Sequence, residues 1–206
     1  MGQAIQMLGA VIVLSGFVAN QRMGLGSDAA LYLLANAPEH QDQARAQARS
    51  TLSGRAARPE DLAAMPLIGQ ILEEAMRLYP PVGLLARSVL AEDELCGRRM
   101  RPGDILFLPI WALHRHELLW ERPAEFDPAR FDPALRERRD KYQYLPFGAG
   151  PRVCVGANFA MMQAQIILAS LIQKFRFRPA LPAPRPVMMM TVRPEPGVFL
   201  DIEPVE

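Results

Sequence analysis

Cys154 is the residue in this chain best placed to do chemistry, near the end of the run FGAGPRVCVG, residues 147 to 156. Three glycines and a proline in ten residues do not build a regular element. They build a tight loop whose backbone can pass close to a bound group. The apolar run that follows, ANFAMMQAQIILASLIQKF, reads as a helix. A thiolate just ahead of it meets the unpaired N–H groups of a first helical turn, which favour negative charge. Such a thiolate serves as a metal ligand or as a nucleophile. A structural zinc takes about four ligands, usually in close His or Cys pairs. The only other cysteine is Cys96, and no C-x-x-C or H-x-x-H is present. A nucleophile needs a base and an orienting partner, and Arg152 is neither.

An arginine two residues before a thiolate suits a large anionic cofactor that brings its own metal, such as haem. The spacing of Phe147, Gly150, Arg152, Cys154 and Gly156, F-x-x-G-x-R-x-C-x-G, resembles the haem loop of the cytochrome P450 family. The resemblance implies haem b with Cys154 as axial iron ligand and Arg152 on a propionate. It also implies that Phe147 shields the sulfur while Gly148 and Gly156 let backbone pass close to the cofactor. The bland reading of the same loop is a glycine-rich turn before a helix.

The chain has 206 residues, half of them apolar, with a net charge of +1. That length buries a sizeable core. Such a charge balance excludes a nucleic-acid binder and a disordered chain. Lysine occurs only at Lys141 and Lys174. Without an evident secretory signal, the two cysteines are expected free and the chain cytoplasmic.

Residues 4 to 19, AIQMLGAVIVLSGFVA, are the most hydrophobic stretch. The run is short for a membrane span and no basic residue precedes it. By the resemblance it belongs to the central helix over the distal haem face, which in the family runs into L-x-x-P, as LYLLANAPEHQ does at 31 to 41. Family members carry an acid followed by Thr on this helix. Counting back from Pro38, those positions fall on Gln21 and Arg22, after Asn20; matching the SGF run at 15 to 17 instead places the group on Ser15 to Ala19. Neither register supplies the acid–Thr pair, so Asn20, Gln21 and Arg22 are the distal candidates.

Residues 38 to 53 read as a polar helix with a solvated face, ending at Ser53-Gly54. Pro59 and Pro66 open two further helices, and Pro80-Pro81 ends the second. On that helix Glu74 and Arg77 share one face. The E-x-x-R spacing before L-Y-P-P resembles the family's buried structural pair, with Arg130 of EFDPARFDP as its third member. The segments LLARSVL and DILFLPIWAL read as strands. Arg87 lies inside the first, and the resemblance makes it a second propionate ligand. His114 and His116 are read as alternate residues of a strand, with no third ligand near enough for a metal site. His114 is a candidate for a hydrogen bond to the haem or its surroundings. Residues 117 to 146 read as a meander whose basic patch, Arg136, Arg138, Arg139 and Lys141, is either solvated surface or a dock for an acidic redox partner. The helix after Cys154 is expected to bury Phe159, Met162, Ile166 and Ala169, and TVRPEPGVFLDIEP to form a hairpin turning at Glu195 to Gly197.

The expected fold is mainly α with small β-sheets, an α+β arrangement matching the C-terminal portion of the cytochrome P450 fold. It divides into a central distal helix (1–37), helices with the E-x-x-R pair (38–83), strands and proximal meander (84–146), cysteine loop and helix (147–174) and C-terminal strands (175–206). The family's N-terminal half is unmatched, so a truncated chain is expected. The resemblance implies monooxygenation of an apolar small molecule by dioxygen, with a ferredoxin- or flavoprotein-type electron donor and a separate N-terminal half as candidate partners. Two alternatives stand beside it: a peroxygenase that needs no acid–Thr relay, and an inactive haem-binding fragment.

Overall fold

A computed structural model describes residues 24–180, 183–188 and 191–205. Most of the expected central helix, with Asn20, Gln21 and Arg22, lies outside the described residues. The helices are α1 (Gly24–Ala35), α2 (Pro38–Leu52), α3 (Pro66–Leu78), the short α4 (Ile110–Leu113) and α5 (Pro133–Arg136), and α6 (Ala157–Ile172). Proline starts α2 and α3 at the first turn, where its missing N–H costs nothing. Ser53 ends α2 in the left-handed region at φ 49°, followed by Gly54 at φ 87°.

The core lies where α1, α2, α3 and α6 meet. Ala30, Leu34, Leu52, Ile71, Ala75, Ala169 and Ile172 are all fully buried there. At about 25 cal/mol per Å² of apolar surface, this cluster is the main favourable term holding the helices together. Helix α2 is less solvated than its composition suggests, because Gln41 and Arg45 are buried. The Gln41 amide accepts from the Phe177 N–H and donates to the carbonyls of Phe177 and Leu34, all at 2.9 Å. Arg45 donates to Gln41 Oε1 at 2.8 Å and to the Phe175 carbonyl at 3.2 Å. Burial lowers the Arg45 pKa, partly offset by Asp42.

Among the described residues eight short strands form four two-stranded antiparallel sheets. Strand β1 (Leu85–Ser88) pairs with β4 (Ile105–Leu108), and β2 (Asp93–Leu95) with β3 (Arg98–Met100). Strand β5 (Phe175–Pro179) pairs with β8 (Leu200–Pro204), and β6 (Arg185–Met188) with β7 (Val192–Glu195). The exposed free Cys96 sits in the turn between β2 and β3 at φ 51°.

Three expectations fail on packing. The segment IWAL is helical, because Pro109 closes β4 and Trp111 N–H is drawn to the Gly83 carbonyl at 3.0 Å. Strands β7 and β8 make no hairpin: β7 answers β6 and β8 answers β5, which places Ile202 opposite buried Phe177. On α6 only Ala169 of the four expected core positions is buried, while Phe159 is 57% exposed. The inward face of α6 is set by Leu168, Ala169 and Ile172 meeting the other helices.

Candidate functional site

The cysteine loop is shaped by backbone that only glycine adopts easily. Gly148 and Gly150 have φ of 74° and 69°, which would strain any residue with a Cβ. Gly150–Arg152 form one 3-10 turn, and the Cys154 N–H donates to the Phe147 carbonyl at 3.0 Å, closing the loop on itself. Helix α6 begins at Ala157 behind a Gly156 cap. Cys154 is a free, exposed thiol three positions before it.

The thiol borders a cleft of about 340 Å³. Phe147, Gly148, Arg152 and Gly156 share its rim, and Leu72 and Met76 of α3, Leu85 of β1 and Met161 of α6 form an apolar wall. Arg152 is exposed, and Phe147 is half-buried. Among the described residues no group of three or more His, Cys, Asp or Glu gathers to hold a bare metal ion. One thiol on an apolar wall, with one guanidinium at the rim, fits a flat apolar macrocycle that supplies its own metal ligands and carries anionic groups at its edge.

Arg87 is placed differently. It is half-buried on β1, two residues along the same face from Leu85. Its guanidinium donates to the neighbouring Ala86 carbonyl at 2.8 Å, and it does not border the cleft.

Beneath the loop, Glu74 and Arg77 of α3 are completely buried. They form a two-pronged ion pair, Nε to Oε2 at 2.7 Å and Nη2 to Oε1 at 2.8 Å. Arg77 also donates to the carbonyls of His114 (2.9 Å), Pro123 (2.7 Å) and Glu125 (3.0 Å). Those contacts use all five guanidinium N–H groups, so the buried cation carries no unmet donor. Glu74 Oε1 accepts the Asp127 N–H at 3.0 Å and lies 3.4 Å from Arg130 Nε. The third guanidinium therefore adds charge without a well-aligned hydrogen bond to the carboxylate; its Nη2 donates to the Arg122 carbonyl at 2.9 Å.

His114 and His116 do not share a strand face. His114 caps α4 and is fully buried, whereas His116 is exposed and accepts the Leu118 N–H at its own turn. His114 Nε2 accepts the Leu145 N–H at 2.8 Å, which puts its proton on Nδ1. Burial lowers the His114 pKa to about 4, and Arg77 and Arg115 push the same way against the opposing carbonyls of Met76 and Arg77. Its ring stacks on Tyr144 at 5.1 Å. Tyr144 donates from its phenol to the Glu73 carbonyl at 2.8 Å, and burial raises its pKa well above the usual value.

The basic patch also divides. Arg136 pairs with Glu73 at 3.0 and 3.1 Å. Arg139 lies over the Phe131 ring at 4.3 Å and the Trp120 ring at 5.2 Å, donates to the Arg130 carbonyl, and has its pKa lowered by burial. Arg138 and Lys141 are exposed and make no ion pair among the described residues, and Lys141 Nζ lies 4.7 Å from the centre of the Tyr142 ring. Tyr144, Trp120 and the structural use of Arg139 had no signal beyond being large side chains in a proline-broken segment. Arg115 was equally silent: it stacks on Trp111 at 3.6 Å, and burial pulls its pKa down to about 10.

The family model for Cytochrome P450 matches residues 25–202. The chain is 35% identical over 179 residues to cytochrome P450 4F8 of Homo sapiens, covering 85% of this chain and 34% of that protein. It is 35% identical over 184 residues to leukotriene-B4 omega-hydroxylase 3 of Mus musculus, covering 85% of this chain and 34% of that protein. Cytochrome P450 3A12 of Canis lupus familiaris is 33% identical over 178 residues, with 84% of this chain and 35% of that protein covered. The chain belongs to the cytochrome P450 family, and it spans about a third of the length of the curated relatives it matches.

Proposed function

We propose that this chain carries the cysteine-ligand side of a haem-thiolate monooxygenase. The reaction is hydroxylation of an apolar small molecule: one atom of dioxygen enters a C–H bond, and the other leaves as water with two protons and two electrons. The electrons come from a ferredoxin- or flavoprotein-type donor. One observation carries the reading: the exposed Cys154 thiol stands at the edge of an apolar cleft of about 340 Å³, above a saturated Glu74–Arg77 pair. The name of the mouse relative, an omega-hydroxylase, supports hydroxylation as the reaction class.

In this reading Cys154 ligates the iron, and bound haem supplies oxygen activation assisted by thiolate electron donation. The chain's own residues do the rest. Arg152 neutralises a propionate at the rim, with Arg87 the second candidate once its side chain leaves the Ala86 carbonyl. Phe147 covers the sulfur, and Gly148 and Gly156 keep side chains out of the way. Leu72, Met76 and Met161 exclude water from the cofactor's face. Glu74, Arg77 and Arg130 hold the framework under the loop. A separate N-terminal half completes the distal wall.

The test is the absorption spectrum of the purified chain after adding haem, reducing it and exposing it to carbon monoxide. A strongly red-shifted, thiolate-type Soret band is expected. It should vanish in Cys154→Ala; an unchanged spectrum in that variant sinks the assignment. Gln21 and Arg22, which fall at the family's acid–Thr positions when counted back from Pro38, motivate a second reading: a peroxygenase driven by hydrogen peroxide. Product formed with peroxide but not with an electron-donor system selects it. A haem spectrum without thiolate character selects the inactive fragment.

A further inference from the structure

The cysteine loop is attached to the rest of the fold at very few points. From Leu145 to Gly156, its backbone bonds stay inside the loop or run into α6: Gly148 N–H to Leu145, Val153 N–H to Gly150, Cys154 N–H to Phe147, and Ala157 and Ala160 N–H to Cys154 and Gly156. Among the described residues, one hydrogen bond leaves this set, from the Leu145 N–H to His114 Nε2 at 2.8 Å. The same histidine offers its carbonyl to Arg77 Nη1 at 2.9 Å. A continuous chain therefore runs from Glu74 through Arg77, the His114 backbone, its imidazole, Leu145 and Gly148, while the Phe147 carbonyl between them holds the Cys154 amide.

We propose that His114 is the positioning residue through which the buried Glu74–Arg77 pair sets the height and orientation of the Cys154 loop. The ring suits this task in three ways. It is fully buried, so water does not compete for the Leu145 N–H. It packs on the Tyr144 ring at 30° between planes and 5.1 Å between centroids, which limits its rotation. Burial keeps it neutral and able to accept, and the cations of Arg77 of α3 and the adjacent Arg115 push the same way. Leu145 is itself buried, and losing the imidazole would leave its N–H without a partner. The further role of holding a cofactor ligand rests on the haem-thiolate reading; the mechanical role does not.

The experiment is amide hydrogen exchange on the haem-free 206-residue chain, comparing the parent with His114→Leu and His114→Gln. Leu keeps the volume and removes the acceptor, while Gln carries an oxygen near the Nε2 position. His114→Leu is expected to keep its helical circular dichroism and the exchange protection of α3 and α6. Exchange at Leu145, Gly148 and Cys154 should accelerate at least about tenfold, and Gln should restore most of it. Loop amides exchanging no faster in His114→Leu than in the parent overturn the proposal. If the Leu variant loses its helices, the Gln variant decides: parent-like loop protection supports the proposal and lost protection overturns it. Adding haem gives a separate readout. A thiolate-type carbon monoxide spectrum that weakens severalfold in His114→Leu and returns in His114→Gln extends the role to the cofactor. Loop effects in a parent chain that shows no thiolate-type spectrum would instead retire the haem reading and leave the positioning role intact.

Discussion

The cysteine loop and the Glu74–Arg77 pair lie on either side of His114 and are held by opposite strategies. The pair is completely buried, and every guanidinium N–H is used. The loop is largely exposed and closes on its own carbonyls. Precision is concentrated in the buried pair. The loop takes its shape from glycine backbone and, among the described residues, from one hydrogen bond to the rest of the fold.

Breaking the deeper region should cost most. Arg77→Leu leaves the buried Glu74 carboxylate without its two-pronged partner, with only Arg130 Nε at 3.4 Å, and strips three backbone carbonyls of their donor. A loss of about 3–5 kcal/mol is expected, read as a collapsed urea midpoint or as failure to accumulate folded protein. The mirror substitution, Cys154→Ala in the loop, should leave that midpoint within about 0.5 kcal/mol, since exposed substitutions rarely cost more. Comparable losses in both variants would erase the contrast.

Acid sharpens the contrast through the tether. His114 has its pKa lowered to about 4 by burial, against an unfolded value near 6.5. The unfolded chain binds the extra proton between those values, so stability falls as pH drops from about 6.5 to about 4. The amount is on the order of 3 kcal/mol. Asp28 opposes it: burial raises its carboxyl to about 6, so its neutral form is favoured on folding and adds stability as pH falls from 6 towards 4. Asp28→Asn should therefore steepen the acid decline, and His114→Gln should flatten it, in urea titrations across that range. A parent-like slope in His114→Gln would show that the ring is not neutral in the fold.

Arg130→Gln probes the third member of the pair. At 3.4 Å with imperfect alignment it should cost about 1–2 kcal/mol, clearly less than Arg77. Smallest of all, Arg136→Ala removes a bond to Glu73 from a side chain 62% exposed. A few tenths of a kcal/mol is expected, about the worth of a surface pair, and it should disappear in high salt.

The sequence made the two ends of this assembly legible and hid the middle. Cys154 and its glycines are readable because the loop's shape demands particular residue types at fixed spacing. Glu74 and Arg77 are readable because three residues of helix place them on one face. His114 was visible as a residue but not as a tether, because its partner is a backbone N–H 31 positions away and no side-chain spacing encodes that. Periodicity on α6 identified a helix but not which side meets a neighbour, so Phe159 was expected inside and stands outside. The strands β7 and β8 were adjacent in sequence, yet their partners were chosen by the burial of Phe177 and by register with β5 and β6. Arg139 read as surface charge, because composition cannot show three aromatic rings gathering beneath one guanidinium.

Gln41 carries a consequence for how this chain behaves in company. Among the described residues strand β5 pairs with β8 alone, and a bare strand edge recruits strands from other molecules. The carboxamide of Gln41 engages both the N–H and the C=O of Phe177, and so occupies that edge as a neighbouring peptide unit would. A helix side chain thus impersonates a third strand, at the one residue of β5 that is fully buried. The interior of the sheet edge is closed to foreign backbone before another chain can reach it.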